Sequence, residues 1–111
     1  MRRPAFVPDA GDLVWLEFDS LAGHEQAGHR PAVVLSPASY NARTGMMVCC
    51  PLTTRIKGYP FEVALASQPG SAALSDQVKN LDWRARRAVR KGNVTDAELR
   101  QVRGKLRALI G

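Results

Sequence analysis

The chain has 111 residues, 45% of them apolar, and a formal net charge of +6. That length suits one domain spanning residues 1–111, and a folded chain of this size buries about 65% of the surface its unfolded form exposes, enough for a core without staples. No apolar run reaches the roughly 20 residues a membrane helix needs, two cysteines are too few for a disulfide framework or a cysteine zinc site, and the positive charge favours a polyanionic partner.

Met1-Arg-Arg-Pro4 is not followed by an apolar segment, so no signal peptide is expected and the chain reads as cytoplasmic. Leu13–Phe18 is near-continuously apolar and reads as a first strand with Glu17 outward. Asp19–His29, carrying Gly23 and Gly28, is long for a hairpin connection, and loops of that length tend to be functional. Ala32–Leu35 reads as a buried strand closed by Ser36-Pro37, and Tyr40–Gly45 as a turn or short helical piece. Met46–Cys50 is a third strand stopped by Pro51; on it, Cys49 and Cys50 would point to opposite faces, so a bridge between them is implausible. Phe61–Leu65 and Gln77–Leu81 alternate apolar and polar positions as half-buried strands do. Asp82–Lys91 is densely basic; if helical, it would place Arg84, Arg87 and Lys91 on one face, either solvated or a landing surface for an anionic chain, with Trp83 a core or interface anchor. Thr95 and Glu98 form a capping box, and Leu99, Val102, Leu106, Leu109 and Ile110 follow as one apolar helical stripe. Short strands separated by Gly/Pro turns, then one amphipathic helix, predict a small antiparallel barrel with a C-terminal helix packed on it.

The residues where loop meets strand suit chemistry on a phosphodiester. Pro31 biases Arg30 to extended backbone, and a guanidinium offers two parallel hydrogen bonds to phosphate oxygens while remaining charged. Thr53, just past Pro51, could donate its hydroxyl to a non-bridging oxygen; Thr54 is an adjacent competitor that spacing alone does not separate from it. Glu25 and His29 are acid–base candidates: imidazole titrates near neutrality, and a carboxylate beside Arg30 would be held ionised as a base or orienter. Gln26, Asp76 and Gln77 could read the edges of unpaired bases, and Lys57 could meet a phosphate. By type and spacing alone, each is equally an ordinary surface or turn residue. No histidine, cysteine and carboxylate cluster has metal-ligand spacing, and neither a metal nor another cofactor is expected.

Residues 23–37 (GHEQAGHRPAVVLSP) contain the pattern E-Q-x-G-x-R-P-x-V-V-L, which resembles the MazF/PemK family of type II toxin endoribonucleases. Pro8–Trp15 resembles that family's opening strand, Pro51–Thr54 and Lys57–Phe61 its second active-site segment, and Asp76–Lys79 and the closing helix also match. Five motifs in the right order cover nearly the whole chain, from about Val7 to Gly111. The resemblance implies an SH3-like barrel with short helices and a catalytic pair at Arg30 and Thr53. It implies cleavage of single-stranded mRNA at short motifs by 2′-hydroxyl attack, leaving 2′,3′-cyclic phosphate and 5′-hydroxyl ends and arresting translation. It also implies a homodimer that binds RNA along its interface and a MazE-like antitoxin whose acidic C-terminal tail blocks the loops.

Two other readings use the same fold. A CcdB-like gyrase poison would end in an aromatic-containing tail, whereas this chain ends Leu109-Ile110-Gly111. A nuclease-dead RNA-binding regulator would have no need to keep Arg30 and Thr53 as a pair.

Overall fold

The computed structural model describes residues 6–18 and 28–111, and Glu25 and Gln26 lie outside the described residues. Within them the chain is mainly antiparallel sheet with two helices, as the sequence predicts. Strands β1 (Asp12–Phe18) and β2 (Gly28–Val34) pair along their length from Leu13↔Val33 to Phe18↔Gly28. Helix α1 (Ala38–Thr44) leads into β3 (Met46–Thr53), and Gly45 ends the helix at φ 74°, a left-handed conformation that a side chain would strain. Strands β4 (Glu62–Ala64), β5 (Ala72–Leu74), β6 (Lys79–Asp82) and β7 (Val89–Asn93) follow, then helix α2 (Asp96–Ile110). The strand order is β4-β5-β3-β2-β1-β7. Strand β3 is shared: one edge pairs with β2, while on the other Met46–Cys49 pair with β6 and Leu52–Thr53 with β5. No described helix is long and apolar enough to cross a membrane.

Sheet alternation divides the apolar side chains into two cores. Leu13, Val33, Leu35 and Cys50 face Val63, Leu65, Val94 and the buried Leu99 and Val102 of α2. On the opposite face, Val14, Leu16, Val34, Met47 and Cys49 are covered by Trp83. Cys49 and Cys50 therefore lie in different cores, as consecutive strand residues must. Burial, the largest influence on each thiol, pushes Cys49 up to about 11 and Cys50 to about 12.

Buried Asn41 and Glu98 are paired where elements join, whereas the buried Ser75 Oγ has no hydrogen-bond partner among the described residues. The buried Asn41 amide donates to the carbonyls of Pro8 and Ser36, its side-chain oxygen accepts from the Ser36 hydroxyl at 2.6 Å, and its main-chain carbonyl accepts from the Trp83 indole at 2.9 Å. The capping box forms as expected: Glu98 N–H donates to Thr95 Oγ1 at 3.1 Å, and Thr95 N–H to Glu98 Oε1 at 2.9 Å. The same carboxylate accepts from the Ser67 hydroxyl at 2.7 Å and the Ser67 amide at 3.2 Å, which ties the start of α2 to the turn after β4.

Five expectations change. Strand β3 runs through Pro51, which pairs with Ala32, to Thr53 instead of stopping at the proline, and β2 already begins at Gly28, within the segment read as loop to His29, because residues 28–33 pair with β1. The basic segment is not helical: Trp83–Arg87 are turns, Arg87 has φ 51°, and Val89–Asn93 form β7 against β1. Burial of Trp83, with Arg84 lying 4.8 Å over its ring, pulls the chain into a turn instead. Gln77 belongs to a single 3-10 turn, Ser75–Gln77, so the strand begins at Lys79. The apolar stripe of α2 is buried at Leu99 and Val102, but Leu109 and Ile110 are exposed, with Ile110 bordering an open groove beside Leu35 and Val48 instead of packing into the core.

Candidate active site

The β2–β3 register positions the first two site residues. Its pairs are Val34↔Cys49, Val33↔Cys50 and Ala32↔Pro51. Two residues further along each strand from the last pair stand Arg30 and Thr53 (32 − 2 and 51 + 2), both still within their strands. An even step preserves the face, so Arg30 and Thr53 lie on the same side of the sheet, on neighbouring strands. Arg30 is exposed and Thr53 half-buried. The two are 23 residues apart in sequence (53 − 30), so their relation comes from the sheet register and not from local sequence.

Thr53 ends β3, while Thr54 lies beyond the strand, exposed. Thr53 Oγ1 accepts the Arg55 amide at 3.0 Å, and a hydroxyl that accepts one bond retains its own proton to donate. Beside it opens a cleft of about 250 Å³ lined by Thr53, Arg55, Lys57, Tyr59, Glu62, Asp76 and Gln77. Of the sequence-selected residues, Thr53, Lys57, Asp76 and Gln77 therefore share one cleft. Lys57 Nζ lies 5.8 Å from the centroid of the Tyr59 ring, a cation beside a flat apolar surface.

His29 goes elsewhere. One residue from Arg30 on an extended strand, it projects from the opposite face. Its ring centroid lies 6.4 Å from that of Trp15, and Lys91 Nζ lies 5.0 Å over the other ring. Glu25 and Gln26, outside the described residues, are placed in neither group.

Arg55 and Glu62 line the cleft without having been selected from the sequence. Glu62 was legible as the polar position of an alternating strand, but nothing local indicated what its carboxylate would meet. Among the described residues, no group of three histidines, cysteines or carboxylates stands close enough to hold a metal ion.

The family model for the PemK-like, MazF-like toxin of type II toxin-antitoxin systems matches residues 9–110. The chain belongs to this family. It is 57% identical over 107 residues to the endoribonuclease toxin MazF of Escherichia coli strain K12, covering 96% of each chain. It is 35% identical over 111 residues to the endoribonuclease toxin ChpB of the same strain, covering 92% of this chain and 93% of that protein. In the crystal structure of MazE-MazF (Form-II) from Deinococcus radiodurans, one chain superposes with a TM-score of 0.90 at 54% identity, over 96% of this chain and 98% of that one. The fold is thus that of the MazF family, and the MazF/PemK resemblance read from the five sequence motifs holds over almost the full chain.

Proposed function

We propose that the chain is the endoribonuclease toxin of a type II toxin–antitoxin system, cleaving single-stranded mRNA at short sequence motifs and thereby arresting translation. One observation supports the chemistry: the β2–β3 register, carried two residues past Ala32↔Pro51, sets Arg30 and Thr53 on one sheet face, and Thr53 lines a cleft with Lys57, Asp76 and Gln77.

RNA supplies its own nucleophile. The 2′-oxygen bonds to the adjacent phosphorus, the bond from phosphorus to the 5′-oxygen breaks, and the products are a 2′,3′-cyclic phosphate and a 5′-hydroxyl. A base takes the 2′-hydroxyl proton and an acid returns one to the 5′-oxygen. Arg30 binds the scissile phosphate and stabilises the charge that grows on it, and Thr53 donates its hydroxyl to a non-bridging oxygen. Arg30 cannot serve as the base, since guanidinium does not readily deprotonate. His29 packs toward Trp15 on the opposite face, so proton transfer is assigned first to Glu25 and second to His29. Lys57 contacts a flanking phosphate, while Gln26, Asp76 and Gln77 read base edges. No step calls on a metal. One RNA strand must touch several short loops, which favours a homodimer with RNA along the interface. A MazE-like antitoxin with an acidic tail is the fitting inhibitor of so basic a chain; solved relatives include MazE-MazF from D. radiodurans.

The test treats a long, unstructured RNA with wild type and with Arg30→Ala in EDTA, then maps cut sites and end chemistry. The expected result is discrete cuts with cyclic-phosphate ends, lost in the variant while RNA binding persists. Folded wild type that does not cut would overturn the reading in favour of gyrase poisoning or RNA binding alone.

A further inference from the structure

Residues 54–60, which carry Lys57 and Tyr59 past Thr53, are exposed at every position. Burial contributes little to the shape of such a segment, while ordering each residue costs about 1–2 kcal/mol of chain entropy. Its shape must come from polar anchors, and the main one is a single carboxylate. Glu62 Oε1 accepts the Gly58 amide at 2.8 Å and the Lys57 amide at 3.1 Å, and Oε2 accepts the Lys57 amide at 3.2 Å. Gly58 has φ 79°; that left-handed step turns the consecutive amides of Lys57 and Gly58 toward one point, forming a small anion-holding concavity. Glu62 itself fills it. The carboxylate stands on β4, whose pairing Glu62↔Leu74 fixes its base, and Glu62 N–H closes the segment by donating to the Tyr59 carbonyl at 3.1 Å. From the other side, Lys105 of α2 donates to the Pro60 carbonyl.

We infer that Glu62 is a positioning residue of this site, holding the 54–61 segment so that Lys57 and Tyr59 stand along the substrate path beside Thr53. The inference rests on the proposed ribonuclease reading. Glu62 touches neither the scissile phosphate nor the reacting oxygens. It acts through Lys57, and its loss is felt in substrate binding more than in the chemical step.

Steady-state cleavage of a short single-stranded RNA containing a mapped cut site tests this, with Glu62→Ala, Glu62→Gln, Lys57→Ala and the Glu62→Ala/Lys57→Ala double variant. For Glu62→Ala, KM should rise about tenfold or more while kcat stays within about threefold of wild type. Glu62→Gln should fall between, since one amide oxygen can still accept an N–H but the new NH₂ faces the other. Lys57→Ala should cost clearly less in the Glu62→Ala background than in wild type, the non-additivity expected of residues acting as a unit. Amide exchange at Lys57 and Gly58 should accelerate in both Glu62 variants while the strand amides stay protected. The inference is overturned by unchanged KM in both variants, by full additivity of the two substitutions, or by global unfolding of both variants, which would make Glu62 a stability residue. Absence of cutting by wild type would instead refute the ribonuclease reading on which the inference stands.

Discussion

At the scale of single residues, the site separates side chains that adjoin in sequence. His29 and Arg30 are consecutive yet face opposite sides of β2, and Thr53 rather than Thr54 lines the cleft. On the proposed reading, position 30 supplies shape as well as charge. Arg30→Lys keeps the charge but loses the planar fork that meets two oxygens at once. It should lower kcat by about tenfold to a hundredfold in single-turnover cleavage, corresponding to about 1.4–2.7 kcal/mol of transition-state stabilisation. Thr53→Ser retains the hydroxyl and should stay within about tenfold of wild type, whereas Thr53→Val should behave like Arg30→Lys or worse. The residue types that can do this chemistry were legible in the sequence. Their juxtaposition was not, since it depends on a register between strands that local pattern does not encode. The family resemblance offered Arg30 and Thr53 as a pair only as an expectation, and left Glu62 unremarked because its partners are main-chain amides, which no side-chain pattern reports.

At the scale of elements, α2 was the most legible because cap and stripe agree, and the structure adds a second task for its cap. Burial pushes the Glu98 carboxyl up, but hydrogen bonds from the Ser67 hydroxyl and from the Thr95 and Ser67 amides outweigh it, and the group settles below its ordinary value of 4.5. A carboxyl that titrates lower in the folded than in the unfolded chain contributes stability that is complete above the unfolded value and fades as pH falls through the folded one. Thermal midpoints measured from about pH 3 to pH 7 should therefore show wild type well above Glu98→Gln near neutrality, with the gap narrowing below about pH 4.5. A constant gap would mean that shape rather than charge matters at this cap. Thr95→Ala should cost about 1 kcal/mol at neutral pH by urea unfolding. Elements that went unread have physical reasons. Ala72–Leu74 has no β-branched or aromatic residue to mark it as a strand, and Val89–Asn93 hides in a basic run whose spacing imitates a helix face. Leu109 and Ile110 keep the helical period but stay exposed, so periodicity overstates the buried length.

At the scale of the whole molecule, a formal charge of +6 should make catalysis strongly dependent on salt. Each phosphate contact released from a single strand changes log affinity by about 0.7 per log unit of salt. The salt slope of KM should become shallower by about that amount in Lys57→Ala, and stay unchanged if Lys57 meets no phosphate. Sedimentation or light scattering at micromolar concentration should give a dimer mass; a fully active monomer would sink the proposed two-subunit RNA path. The antiparallel class and the closing helix could be read from the alternation of short strands. The sharing of β3 between β6 and β5 could not, because it requires one strand to change partner halfway along its edge.

That shared strand carries Cys49 and Cys50, one in each apolar layer. Neither thiol ionises appreciably near neutrality while folded, so each can be alkylated only when its own layer parts. Two identical reagents, separated by one peptide bond, thus act as independent clocks for the two halves of the interior. A mass-spectrometric time course that modified Cys49 well before Cys50 would show the Trp83-covered layer loosening while α2 stays docked. Equal rates would show that the interior opens only as a whole.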